Sequence, residues 1–325
     1  MRISKELIFV QYKTSIINML PIVKGLLEGD RRSLARAISI VDNDERESRE
    51  IIGQIFAKTG GAKTVGFTGP GGAGKSSLVG KLIPQFRALG HKVAVLAVDP
   101  SSPITGGAIL GDRVRMQDSL DDEKVFMRSM ASRGAVGGVS KSLRNAIRIL
   151  DAAGYNLILV ESVGAGQLEV EISRVVDLTV VLFTPHTGDS VQAVKAGLSE
   201  IGDMYVVNKS DIDGAAKLYS TVVDLIGNTD RKPVVLKTSA KTGRGVKELA
   251  ETVDKLLKEK SINYKERQRK MLEDELRDMV LNMMEKKVSY TLAHDQKYYD
   301  FVNRLTKKEI DPYLAAEQLV SALFK

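Results

Sequence analysis

The 325-residue sequence contains no cysteine. Disulfides, thiolate zinc sites and thiol nucleophiles are therefore excluded, and a cysteine-free chain fits a reducing compartment. Histidine is nearly missing as well. His91, His186 and His294 are far apart and lack ligand spacing, so a histidine-based metal site has no material. Tryptophan is absent, and no block of lysine and arginine is interleaved with aromatics, so the footprint of a nucleic-acid surface is missing. The net charge of +7 is a modest excess over 41 acidic residues. No apolar run approaches the ~20 residues of a membrane helix. Ile16 to Val23 is mostly apolar, but Lys24 and then Asp30, Arg31 and Arg32 follow it, where a leader would carry a small-residue cleavage site. It reads as an amphipathic helix of a cytoplasmic protein, with no membrane partner.

What is present falls into three stretches. Residues 1–60 carry helical spacing, first in Leu20, Val23 and Leu27 and then in Leu34, Ile38 and Val41. Gly29 and Asp30 read as the end of one helix and the cap of the next. Gly60 and Gly61 mark a boundary. From 61 to 258, short apolar runs alternate with helical patterns: Val93–Val98, Leu157–Val160, Leu178–Phe183, Tyr205–Val207 and Val234–Leu236. Strands apolar on consecutive residues are buried on both faces, which predicts a doubly wound α/β domain with a mostly parallel sheet. Residues 259–325 are helical again. Leu272, Leu276, Met279 and Met283 alternate steps of four and three, the spacing of a helix packed on another helix, which predicts a homodimer contact.

The densest signal runs from Gly69 to Ser76. It reads Gly-Pro-Gly-Gly-Ala-Gly-Lys-Ser, after the apolar run Thr64–Thr68 and before a helical pattern of Leu78, Leu82, Phe86 and Leu89. Strand, G-x-x-x-x-G-K-[ST] turn and helix form the context of a phosphate-binding loop. The backbone amides of Gly69, Gly71, Gly72, Ala73 and Gly74, with the helix start at Ser76 and Ser77, would cradle an anion. Lys75 would reach the β- and γ-phosphates, and Ser76 would hold Mg²⁺. A nucleoside triphosphate is the implied ligand.

In such a sheet the ligand lies at the carboxyl ends of the strands. Asp99 follows the second run and is suited to a Mg²⁺-bound water. An irregular glycine-rich stretch, Pro103 to Arg113, has the composition of a switch loop; Asp112 could reach metal or water, and Arg113 and Arg115 could neutralise phosphoryl charge. Glu161, Ser162, Val163 and Gly164 form an acid-x-x-Gly element, with the acid toward Mg²⁺ and the Gly164 amide toward the γ-phosphate. Ala165 stands directly after the glycine and Gln167 three places after it, so a water-orienting glutamine is out of place and slow unaided hydrolysis is expected. Asn208, Lys209, Ser210 and Asp211 read guanine, because a carboxylate there accepts from N1–H and the exocyclic amino group. Ser239 and Ala240, after Val234–Leu236, would add a backbone amide for the guanine oxygen. The nucleotide is then GTP or GDP.

Together these motifs resemble the metallochaperone-type P-loop GTPases. The match is to the branch containing the methylmalonyl-CoA mutase-associated GTPase chaperone MeaB and its mitochondrial relative MMAA. Older names for the branch are ArgK and lysine/arginine/ornithine transport system kinase. The resemblance is carried by Gly29–Ile38, by Val98–Gly107 through Arg115 and Met116, by Glu161–Gln167, and by Asp311, Pro312, Tyr313, Ala315 and Ala316. It implies an acidic set of Asp99, Asp112 and Glu161 around metal and attacking water, and a charge-stabilising Arg115. It also implies a third switch holding Lys195, and catalysis involving Lys75. The implied partner is an adenosylcobalamin-dependent acyl-CoA mutase whose cofactor delivery the GTPase gates. A transport-linked kinase and a GTPase for metal-centre maturation are the alternatives.

Overall fold

The computed structural model describes residues 19–43, 45–99, 122–131, 138–162, 167–185, 199–227 and 233–323. The chain divides into two compact units, Met1–Ile262 and Asn263–Lys325.

The first unit opens with helices α1 (Pro21–Leu27), α2 (Arg31–Asn43) and α3 (Glu45–Ile55). Asp30 caps α2: its carboxylate accepts from the Ser33 amide at 2.8 Å and the Ser33 hydroxyl at 2.5 Å. These bonds hold the Asp30 carboxyl below its ordinary value, the Ser33 hydroxyl contributing most. Strands and helices then alternate: β1 (Lys63–Thr68), α4 (Lys75–Ala88), β2 (Val93–Asp99), β3 (Val125–Ala131), α5 (Gly138–Ala152), β4 (Leu157–Ser162), α6 (Gln167–Ser173) and β5 (Leu178–Phe183). A single turn, α7 (Ser199–Ile201), precedes β6 (Met204–Val207), α8 (Ala215–Gly227), β7 (Val234–Lys237) and α9 (Val246–Lys260).

The seven strands form one sheet in the order β3-β2-β4-β1-β5-β6-β7, and every neighbouring pair is parallel. Strands β2, β4 and β5 are buried at each position, as their unbroken apolar runs require of a sheet covered on both faces. One face packs on α4 and α9 through Phe67, Leu78, Leu82, Phe86, Leu249 and Val253. The other takes α5 and α6, and also the N-terminal helices: Val23, Leu26, Leu34, Ile38, Ile51 and Ile55 share one apolar cluster with Leu96, Phe126, Ile158 and Ile172. Each of these large side chains contributes about 1.5–3 kcal/mol on burial, so α1–α3 are part of the sheet's own core. The joint between α3 and β1 is held by Asp151 of α5, whose carboxylate accepts from the amides of Gly60, Gly61 and Ala62, the last at 2.9 Å.

Strands β4 and β5 flank β1 on opposite sides, so the chain reverses direction across the sheet there. This topological switch point leaves a crevice beyond the carboxyl ends of the strands. Thr68, Asp99, Glu161 and Ser162, Phe183 and Val207 all end strands on that edge.

The second unit holds α10 (Tyr264–His294), α11 (Gln296–Thr306) and α12 (Pro312–Leu323). Asp295 and Asp311 cap α11 and α12 by accepting from the Lys297 and Tyr313 amides, each at 2.9 Å. Helix α10 exposes Leu276 at 63% and Met283 at 56%, while Glu275, directly before Leu276, is buried. No described helix is long and apolar enough to cross a membrane.

Candidate nucleotide site

The turn after β1 needs glycine where its backbone leaves the L-residue regions. Gly69 has φ +140°, and a side chain there would strike the Leu182 carbonyl of β5. Gly74, at φ +84°, caps α4, and a Cβ on it would lie 2.6 Å from the Asn208 amide nitrogen. The loop is thus pressed against the ends of β5 and β6, and the first amides of α4 have no partner within the helix. Such a helix start favours an anion.

Lys75 is buried, with its Nζ donating to the carbonyls of Gly69 at 2.7 Å and Pro70 at 3.0 Å. The ammonium therefore lies within the loop. On α4, the Ser76 hydroxyl donates to Glu161 Oε1 at 2.5 Å across 85 positions of sequence. Ser76 is 8% exposed, Glu161 1% and Asp99 2%. Strand β2 pairs with β4 so that Ala97 lies opposite Glu161, which sets Asp99 just beyond the end of β4.

A hydroxyl and two carboxylates, all hard oxygen donors, fit Mg²⁺ and suit soft metals poorly. Among the described residues no three acidic or histidine side chains form a closed metal cage. Mg²⁺ keeps several waters and is usually held by one or two protein groups together with phosphate oxygens. Asp112, Arg115, Gly164 and Lys195 lie outside the described residues.

On the other side of the loop, Asn208 is 1% exposed and joins three segments. Its amide nitrogen donates to the Ala73 carbonyl at 2.9 Å. Its side-chain oxygen accepts from the Thr238 hydroxyl at 3.1 Å and the Ala240 amide at 3.4 Å. Lys209 has φ +55°, uncommon for a residue with a side chain, and its Cε would lie 3.9 Å from a Cβ on Gly74. Asp211 is exposed, and its carboxyl is held below its ordinary value chiefly by the Ser239 hydroxyl, then by its own amide, with Lys241 and Lys209 adding smaller contributions. The Ser239 oxygen in turn accepts from the Thr242 amide at 3.1 Å, which fixes the hydroxyl toward Asp211. The Asn208–Ala73 link and the Ser239–Asp211 link have no counterpart in the sequence reading, since each depends on where distant loops meet.

Comparison with known proteins places this geometry. The model of the family described as methylmalonyl-CoA mutase-associated GTPase MeaB matches residues 34–293. The chain belongs to the MeaB family of GTPases. A putative GTPase of Pyrococcus abyssi is 42% identical over 311 residues, spanning 93% of this chain and 96% of that one. The GTPase ArgK of Escherichia coli is 37% identical over 239 residues, 70% of this chain and 72% of that protein. A crystal structure described as an LAO/AO transport system kinase covers the whole of both chains with a TM-score of 0.71 at 26% identity. The parallel seven-stranded sheet is accordingly the P-loop GTPase fold. As a member of the MeaB family, the chain is a GTPase that binds GTP and GDP.

Proposed function

We propose that this MeaB-family GTPase is a slow, Mg²⁺-dependent chaperone for an adenosylcobalamin-dependent acyl-CoA mutase, gating cofactor delivery by its nucleotide state. The observation that carries the proposal is the family match over residues 34–293, whose description names association with methylmalonyl-CoA mutase.

The residues would divide the work as follows. Gly69, Gly71, Gly72, Ala73 and Gly74 present amides to the phosphates, and Lys75 turns from the Gly69 and Pro70 carbonyls onto the β- and γ-oxygens. Ser77 adds its amide at the start of α4. Ser76 and Glu161 would hold Mg²⁺, with Asp99 and Asp112 binding through water; when bound, the ion neutralises charge developing on the transferred phosphoryl group. Ser76, whose hydroxyl donates to Glu161 Oε1, would present its oxygen to the ion while Glu161 stays beside it. Gly164 would sense the γ-phosphate, Arg115 would stabilise transition-state charge, and Lys195 would carry the nucleotide state to the partner. Asp211 reads the guanine edge, while Lys209, Ser239 and Ala240 shape its pocket.

A homodimer through α10 accounts for the large apolar side chains that helix leaves in water. Purified protein mixed with a cobalamin-dependent mutase should form a complex whose stability differs between GDP and a non-hydrolysable GTP analogue, and the mutase should raise the GTPase rate. No complex in either state, with an unchanged rate, defeats the chaperone reading.

A transport-linked kinase is the second reading, favoured by the description of the full-length structural match. It requires phosphate transfer from the nucleotide to an acceptor other than water. Quantitative recovery of inorganic phosphate from GTP, in the presence of lysine, arginine or ornithine, counts against it.

A further inference from the structure

Two hydroxyls lie beneath the nucleotide site and take no part in the assignments above. Thr68 ends β1 and Ser162 ends β4, one residue past the paired Phe67 and Glu161. Both are fully buried, and the Ser162 hydroxyl donates to Thr68 Oγ1 at 3.3 Å. Among the described residues neither hydroxyl has any other hydrogen bond. At that length the bond is weaker than the usual O–H···O contact, but both hydroxyls are fully buried, where losing a partner costs most.

Their orientation gives them a use. Successive strand residues point to opposite faces. Phe67 and Leu159 face α4, while Ile158 and Val160 share the cluster of Ile172 on α6. Thr68 and Ser162 therefore meet on the α6 face, and Glu161 reaches Ser76 of α4 on the other. A grip on Ser162 from below restrains rotation of the end of β4 about its own axis. That rotation is the motion that would swing the Glu161 carboxylate away from Ser76.

We propose that the Thr68–Ser162 hydroxyl pair is a latch that positions Glu161 against the phosphate loop, making Ser162 a positioning residue for Mg²⁺ use. The proposal rests on Glu161 and Ser76 holding the ion, as read above. The test is calorimetric titration of GDP with Mg²⁺ and with chelator, beside the Mg²⁺ dependence of GTP hydrolysis. Ser162→Ala should lose roughly fivefold to tenfold of the affinity gain that Mg²⁺ confers, as loss of one buried bond implies, while affinity in chelator stays within twofold. The Mg²⁺ concentration for half-maximal hydrolysis should rise by a similar factor. Ser162→Thr should restore both, and Thr68→Val should copy Ser162→Ala without adding to it in the double variant.

Glu161→Gln separates the possible failures. If it leaves Mg²⁺ dependence unchanged, the reading of Glu161 falls and the latch with it. If Glu161→Gln shifts the dependence but Ser162→Ala stays within twofold of the parent, the latch alone is overturned. Additive effects of Thr68→Val and Ser162→Ala would also overturn it. Should Ser162→Ala fail to fold, Thr68→Val puts the same question from the other strand.

Discussion

The side chain of Asn208 ties the loop after β6 to the glycine-rich loop after β1 by donating to the Ala73 carbonyl at 2.9 Å while accepting from Thr238 and Ala240. One buried amide thus sets the spacing between the two halves of the nucleotide site, and Gly74 has no side chain because Asn208 occupies that space. The site is held at its centre by a group whose role is to keep other groups in place.

Replacing Asn208 by alanine strands a buried carbonyl, a buried hydroxyl and a half-buried amide at once. A buried polar group without its partner costs about 1–3 kcal/mol. We expect Asn208→Ala to weaken GDP binding by roughly 30-fold or more on that basis, with guanine and hypoxanthine nucleotides affected alike, because the spacing of the loops is lost and the base-reading carboxylate remains. Calorimetric titration of GDP and IDP checks this. A loss confined to GDP would contradict it.

Asp211 gives the complementary result. Its carboxyl is held below its ordinary value, mainly by Ser239. A carboxylate lowered in this way contributes its interaction at pH above its unperturbed value, and the contribution fades only as pH falls through the lowered one. Guanine preference over adenine should therefore be flat between pH 5.5 and 8. On the proposed reading, Asp211→Asn would remove the acceptor for N1–H and the exocyclic amino group, and should cost at least about 100-fold in GTP affinity. Competition binding across that pH range measures both; a preference that falls toward pH 5.5 would place the reading group elsewhere.

Much of this site is local and so was legible in the sequence. The phosphate loop is dictated by glycines within eight positions, and buried parallel strands show as unbroken apolar runs such as Val93–Val98. The guanine element reads equally well, since Asn208 to Asp211 are contiguous. What escaped depends on distance. Helical spacing in Leu34, Ile38 and Val41 announces a helix but not that it shares a core with Phe126 and Ile158. Gly60 and Gly61 read as a boundary, yet their amides are held by Asp151, about ninety positions away. The Thr68–Ser162 pair has no sequence signal, because two small hydroxylated residues at strand ends are common and only the register brings them together.

Asp151 should be a stability residue with no bearing on nucleotide. Its carboxylate satisfies three amides at the entry to β1. Hydrogen bonds to a charged group are worth more than neutral ones, and loss of the cluster should cost about 2 kcal/mol net. For a unit of this size that is a fall of roughly 4–8 °C in Tm. Asp151→Ala should show this drop by calorimetry while GDP affinity, measured well below the transition, stays unchanged. A parallel loss of GDP binding would mean that the joint is mechanically coupled to the phosphate loop.

The last prediction concerns α10. Its Leu276 and Met283 stand seven positions apart and more than half exposed, with Leu272 and Met279 completing the same spacing. In an isolated chain, a charge at Leu276 would enter water and change stability by no more than about 0.5 kcal/mol, as exposed substitutions do. In a dimer closed by this stripe, the same charge would be buried without a partner, at a cost of several kcal/mol counted once for each copy. Leu276→Lys should therefore convert a dimer to a monomer in light scattering while leaving GTP binding in place, since the candidate nucleotide residues all belong to the first unit. Asp278→Lys, a change already polar in both partners, is the control that separates loss of the apolar stripe from added charge. If the parent protein is monomeric at every concentration reached, or if Leu276→Lys remains dimeric, this stripe is not the dimer contact.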